Sequence, residues 1–277
     1  MNKSFLIAVS GIGLLTESAL AAPVEPGQFA GSISAGAEFT IDGDVHGGAT
    51  SSVPLSAVAA LRDAGAPPLT LPAAAAGAEL RIQSRSFDEI YGDAMNITLQ
   101  GAYGLEGNRE ILLGLGYTRA GEGSVEVGTA AVVSGSGATL VEVPVNGTFG
   151  DYKSWVVEAG LRQYFGDGAF KPYIAGRLGV AVVNDIRASF SVPALNINTA
   201  LNDVAFYDST TVLTGGIDLG VSYDVSDNFS LQVETGIRFA GGLDGNDGDI
   251  GGLGLASING EGSRTAIPLT VRVRWVY

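Results

Sequence analysis

Apolar side chains recur at every second position through eight separate segments of this chain. Only β-strands with two chemically different faces satisfy that period. From Gln28 to Ile41 one parity reads Phe29, Gly31, Ile33, Ala35, Ala37, Phe39 and Ile41, while the other holds Gln28, Ser32, Ser34, Glu38 and Thr40. The same contrast returns over 95–105, 110–118, 155–165, 173–182, 213–225, 229–239 and 269–277. Leu213, Ile217, Leu219 and Val221, for example, oppose Thr214, Gly216, Asp218 and Gly220. The polar parity carries nearly every ionisable strand residue: Glu38, Glu110, Glu158, Asp218 and Glu234 against Arg162, Arg177, Arg238, Arg272 and Arg274.

The connections alternate in length. Residues 106–108, 166–168 and 226–228 are tight, Gly-, Asn- and Asp-rich hairpin turns. The other connections, 42–92, 121–151, 185–209 and 242–264, are long. In an up-and-down barrel every second connection lies on the same rim, so this segregation predicts an all-β, eight-stranded antiparallel barrel. Within the long connections, Pro54 to Gly65 is expected to form a short helix. Leu80 to Ile90 is expected to extend the second strand outward, with a break near Gly92 because its parity is reversed. Thr139 to Val145 is expected to extend a hairpin above the barrel.

Alternation alone fits a water-soluble barrel as well as a membrane one. Export and aromatic placement favour the membrane. Lys3, the apolar stretch Phe5 to Leu15 and Ala19-Leu20-Ala21 compose a secretory signal with cleavage expected after Ala21, which leaves a mature barrel domain of residues 22–277. Aromatics sit near the ends of the apolar faces, among them Phe29, Phe39, Tyr103, Tyr117, Trp155, Phe165, Tyr223, Phe239 and Trp275. Such girdles mark the two membrane–water interfaces. The architecture is therefore transmembrane, with short periplasmic turns and long extracellular loops. The formal net charge of −14 argues against nucleic acid as a partner, and the absence of cysteine excludes thiolate chemistry.

The last strand, Val271-x-Val273-x-Trp275-x-Tyr277, resembles the C-terminal signal of bacterial outer-membrane proteins, although that family usually ends in Phe. The stretch Phe170-Lys171-Pro172-Tyr173-Ile174-Ala175-Gly176-Arg177-Leu178-Gly179 resembles strand starts of small OmpA-like, porin-type barrels. The resemblance implies a place in the cell outer membrane among lipid and lipopolysaccharide. It also implies assembly by the barrel assembly machinery reading Val273, Trp275 and Tyr277. It covers the barrel only, with no peptidoglycan-binding domain expected after it.

Eight strands enclose a lumen just wide enough for side chains. Ten charges of balanced sign in that space should pair, because an isolated buried charge is very costly. A salt-bridged plug is the expected outcome, and a narrow ion path along the same residues is its rival. His46, the sole histidine, has Asp42, Asp44, Ser51 and Ser52 near it in sequence and opens a third reading, a lipid A-modifying membrane enzyme. No flanking motif supports that, so a solvated loop histidine is expected. The acidic run Asp244 to Asp249 offers oxygen ligands but lacks the spacing of a calcium loop, and no metal is assigned. The sequence thus points to a non-enzymatic barrel with a structural or surface-interaction role and no cofactor, with a small-solute pore second. It leaves the oligomeric state open.

Overall fold

A computed structural model describes residues 23–246, 253, 255, 258–260 and 262–277. The expected signal segment, residues 1–21, lies outside the described residues. In chain order the strands are β1 (Phe29–Asp42), β2 (Asp44–His46), β3 (Ala49–Val53), β4 (Ala75–Ile82), β5 (Arg85–Ser86), β6 (Ala94–Leu105), β7 (Arg109–Ala120) and β8 (Gly123–Ser134). They continue as β9 (Thr139–Phe149), β10 (Tyr152–Tyr164), β11 (Phe170–Val183), β12 (Ile186–Val192), β13 (Ile197–Tyr207), β14 (Thr210–Ser226), β15 (Phe229–Ala240) and β16 (Arg264–Val276). Two short helices are α1 (Leu55–Ala60) and α2 (Phe87–Ile90).

Eight of these strands close on themselves in the order β1-β16-β15-β14-β11-β10-β7-β6. The seam joins the first and last strands, with Ser32 opposite Arg274 and Ile33 opposite Val273. All eight alternating segments anticipated from sequence are these strands. Register is fixed by the two-faced pattern, since a slip of one residue would turn every charge outward.

The outward face is apolar along the whole wall. Ile33, Leu99, Leu113, Leu161, Leu178, Ile217, Leu219 and Leu269 are all exposed. Phe29, Tyr103, Phe165, Phe170 and Tyr223 ring the short-turn rim, and Phe39, Trp155 and Phe239 ring the other. Outward-facing charges occur only at strand ends, as at Arg109, Arg119 and Lys153. A water-soluble surface does not carry an apolar band of this extent. Closure pairs the strand backbone groups internally, which is the condition for crossing hydrocarbon. Lipid therefore bathes this face.

The long connections are folded, and here the structure departs from expectation. Six of their strands make a second sheet in the order β13-β12-β9-β8-β4-β3, standing on the long-loop rim. The hairpin β8–β9 prolongs β7 and β10, and β12–β13 prolongs β11 and β14. Residues 80–90 do not extend the second strand. β4 pairs with β3 and β8 instead, then α2 turns the chain back. The Ser86–Glu89 capping box starts α2, and Gly92 (φ +63°) lets the chain enter β6. The reversed parity of Leu80 and Ile82 reflects membership of a different sheet. The short helix expected within 54–65 is α1, and 139–145 lies in the expected hairpin.

Candidate functional site

The lumen is filled by three tiers of charge. At the short-turn end, Glu110 pairs with Arg274 and lies 3.5 Å from Arg162. The Tyr164 hydroxyl accepts from Arg162 (3.1 Å), Arg274 (3.0 Å) and Gln232 (3.0 Å). The Arg162 guanidinium also stands 4.6 Å from the centre of the Tyr173 ring. In the middle tier Arg177 reaches Asp218 (2.6 Å), Glu158 (2.9 Å) and Glu234 (3.0 Å), and donates to the Gln100 side chain (2.6 Å). Glu234 also meets Arg272 (3.3 Å) and Arg162 (3.6 Å), and accepts from the Tyr173 hydroxyl (3.1 Å). Arg238 bridges Asp218 (2.8 Å) and Glu158 (2.9 Å). In the upper tier Glu38 pairs with Arg264 and accepts from Asn96 (3.1 Å).

The structure places Glu38, Glu110, Glu158, Arg162, Arg177, Asp218, Glu234, Arg238, Arg272 and Arg274 in these ion pairs on the inner face of the barrel. Three more join them: Lys171 paired with Asp224, and Arg264. Strand parity was sufficient to find them, since 171 shares the parity of Arg177, 224 that of Asp218 and 264 that of Arg272. They were missed because they sit where strands meet turns or loops. Seven bases then face six acids. Buried side chains of both signs at these distances stand as a mutually neutralised network.

Both ends of the lumen are sealed. At the short-turn mouth the chain before β1 folds inward, so that Val24 is 2% exposed and packs with Ala30, Ala102, Leu112 and Ala175. Its backbone N–H donates to Glu110 (2.9 Å). Gly104 permits this approach, since a Cβ there would lie 2.2 Å from the Glu25 carbonyl oxygen. At the other mouth Ala94, Ala120, Tyr152, Ala181 and Val212, from the inward face of the barrel, join the apolar core of the upper sheet. Beneath that lid lies a polar cavity of about 70 Å³ bordered by Glu38, Glu158, Arg238 and Arg264.

The upper lobe holds the second feature. Phe149, Phe190, Phe206 and Tyr207 pack edge to face at its centre. His46 is not solvated, as expected from its loop position, but 1% exposed. Its ring stacks on Phe149 at 5.7 Å and meets the edge of Phe206. Burial lowers its pKa from the ordinary value of 6.5, the largest of the influences on it, with Arg85 acting in the same direction and Asp44 and Glu89 against it. A histidine held neutral by the fold contributes full stability above 6.5. That contribution declines as pH falls from 6.5 toward the lower folded value, because only the unfolded chain takes the proton there. Urea unfolding of the lobe is thus expected at lower denaturant at pH 5.5 than at pH 7.5, and His46→Phe is expected to shrink the difference. An unchanged difference would contradict the assignment.

The His46 ring is hydrogen-bonded to the Gly47 carbonyl (3.1 Å) and to none of Asp42, Asp44, Ser51 or Ser52. Ser51 donates to the Leu253 carbonyl (2.6 Å), and Asp44 accepts from Ser84 (2.7 Å). Asp244 accepts from the Thr210 hydroxyl (2.7 Å), while the remaining acidic positions of that run, 247 and 249, lie outside the described residues. At the C-terminal strand, Val273 and Trp275 face outward opposite Ile33 and Gly31, and Tyr277 is exposed.

With charge inside, hydrocarbon outside and the sheet closed, the class of the molecule is decided. The chain is a closed eight-stranded antiparallel β-barrel of the transmembrane kind. No protein-family model and no curated protein matches it. Among solved structures it is similar to Neisserial surface protein A (NspA), at 15% identity over 90% of this chain and 96% of that one, with a TM-score of 0.40. It is also similar to the outer-membrane protease OmpT of Escherichia coli, at 11% identity over 91% and 97%, with a TM-score of 0.41. A third similar structure is outer membrane protein OprG of Pseudomonas aeruginosa, at 12% identity over 93% and 99%, with a TM-score of 0.33.

Proposed function

We propose that this outer-membrane-type barrel is a closed anchor that holds a folded lobe at the cell surface, a structural and surface-interaction protein rather than a pore. The observation that carries this reading is the lumen, blocked by Val24 at one mouth, by the Arg177–Glu234 network in the middle and by the Phe149 core at the other mouth. Water-filled conduction would require opening all three. The protein refolded into planar bilayers is expected to give no conductance steps at protein doses where an open porin control conducts. Stable, reproducible steps would overturn the anchor in favour of a narrow channel.

A non-enzymatic role fits the same picture. His46 is enclosed, and neither Ser51 nor Asp44 is bonded to it, so the elements of a hydrolytic dyad are not assembled. The apolar belt suits a bilayer of outer-membrane lipid and lipopolysaccharide. The outward-facing Val273, Trp275 and exposed Tyr277 suit reading by the barrel assembly machinery before the seam closes.

A further inference from the structure

Arg119 on β7 and Lys153 on β10 stand directly opposite each other on the outward face, at the end of the wall nearest the long connections. Like charges opposed across a strand pair cost stability. One carboxylate is shared between them: Asp151 Oδ2 lies 2.7 Å from the Arg119 guanidinium and 3.1 Å from Lys153 Nζ. Its other oxygen accepts from the Glu122 backbone N–H (2.9 Å), which fixes the carboxylate at the junction with β8. Among the described residues no other acid forms an ion pair with either cation. One positive charge is therefore left over, and the two side chains remain 56% and 38% exposed.

The level of the pair identifies what surrounds it. One step down the same strands Tyr117 and Trp155 are opposed, with ring centres 4.9 Å apart, and below them come Leu115 and Val157. Cations set just beyond interfacial aromatics lie at the depth of lipid head groups. At the same ends of the other membrane strands the outward positions are Phe39, Met95, Val182, Thr211, Phe239 and Thr265, none of them charged. The two cations are thus gathered in one sector of the rim, on a chain of net charge −14. A guanidinium offers forked donors to phosphate oxygens, and an ammonium beside it adds a point charge.

We propose that Arg119 and Lys153 form a site for the phosphate of an anionic membrane lipid whose acyl chains lie along Trp155, Tyr117 and the apolar wall beneath them. This deepens the anchor reading by naming the lipid chemistry that the barrel selects. It rests on the bilayer setting and not on the closed lumen.

The mature full-length protein is refolded into vesicles of phosphatidylcholine and phosphatidylglycerol in equal amounts, with bromine on the acyl chains of one lipid or of the other. Bromine close to Trp155 quenches its fluorescence. Trp275, at the opposite rim, contributes alike to every protein compared. A basic residue at a membrane surface gives about a five-fold preference for anionic lipid. Quenching is therefore expected to favour phosphatidylglycerol severalfold. The preference is expected to vanish in the double variant Arg119→Gln/Lys153→Gln and to persist in Arg109→Gln, whose cation lies at the short-turn end of β7. Inorganic phosphate added at constant ionic strength is expected to leave the preference in place. Its disappearance there would assign the pair to a soluble anion and overturn the lipid site. Equal quenching by the two lipids in the native protein, or an unchanged preference in the double variant, overturns it as well. Failure to enter either vesicle, read by circular dichroism and protease protection, would overturn the bilayer setting and the proposal with it.

Discussion

Replacing Glu234 by leucine is expected to destabilise the barrel by about 3–5 kcal/mol, the size seen when one member of a buried ionic network is removed. Glu234 is 2% exposed and lies within 3.6 Å of Arg177, Arg272 and Arg162. Its loss leaves five acids facing seven bases in a space with little water. The leucine fills the volume but satisfies none of the guanidinium groups, so the cost is that of stranded charge. Glu234→Gln keeps one acceptor oxygen and is expected to cost less. The exposed pair Arg187–Asp203 is the contrast: Arg187→Leu is expected to cost under about 1 kcal/mol. Urea titration of the refolded protein in lipid vesicles measures all three. Equal costs for Glu234→Leu and Arg187→Leu would mean that the central network contributes nothing to holding the lumen closed.

Leu219→Arg tests the other face. Leu219 is 57% exposed and sits between Ile174 and Thr235, midway between the two aromatic rings. An arginine at the middle of a lipid-facing wall costs about 2–4 kcal/mol, falling to about 0–1 near the interface. Thr211→Arg, on the same strand at the outer rim, is expected to be nearly silent, as the natural Arg119 and Lys153 at that level suggest. Folding yield into vesicles and the urea midpoint report the difference. If both variants folded with the same yield and midpoint, water rather than hydrocarbon would lie against that wall.

The barrel was legible because its signal is local. Each membrane strand repeats one contrast over about a dozen residues, and parity alone assigns Arg177, Asp218 or Leu219 to a face. What parity does not encode is partnership: that Arg177 meets Gln100 or that Tyr164 gathers three donors is decided by which strands close next to one another. The upper lobe was illegible for a different reason. Its strands carry register shifts, as between Glu126 and Gly128, so no steady period survives. Their burial comes from distant segments, with β4 lying against β8 and Tyr207 donating to the Val45 carbonyl. His46 shows the consequence. A histidine flanked by Asp, Gly and Ser reads as wetted, and only the approach of Phe149 and Phe206 from far along the chain encloses it. Val24 is similar, since its place is set by a carboxylate 86 residues away.

The seam between β1 and β16 also sets an order of events. Ser34 cannot find Arg272, nor Ser32 Arg274, until the far end of the polypeptide has been delivered. Contacts of such separation are the slowest to form, so a growing chain has every interior arginine and glutamate in place before the cylinder can shut. Shortening either terminus therefore does more than delete one stave. It leaves two unpaired margins in oil, and the remaining hoop has no stable form to fall back on.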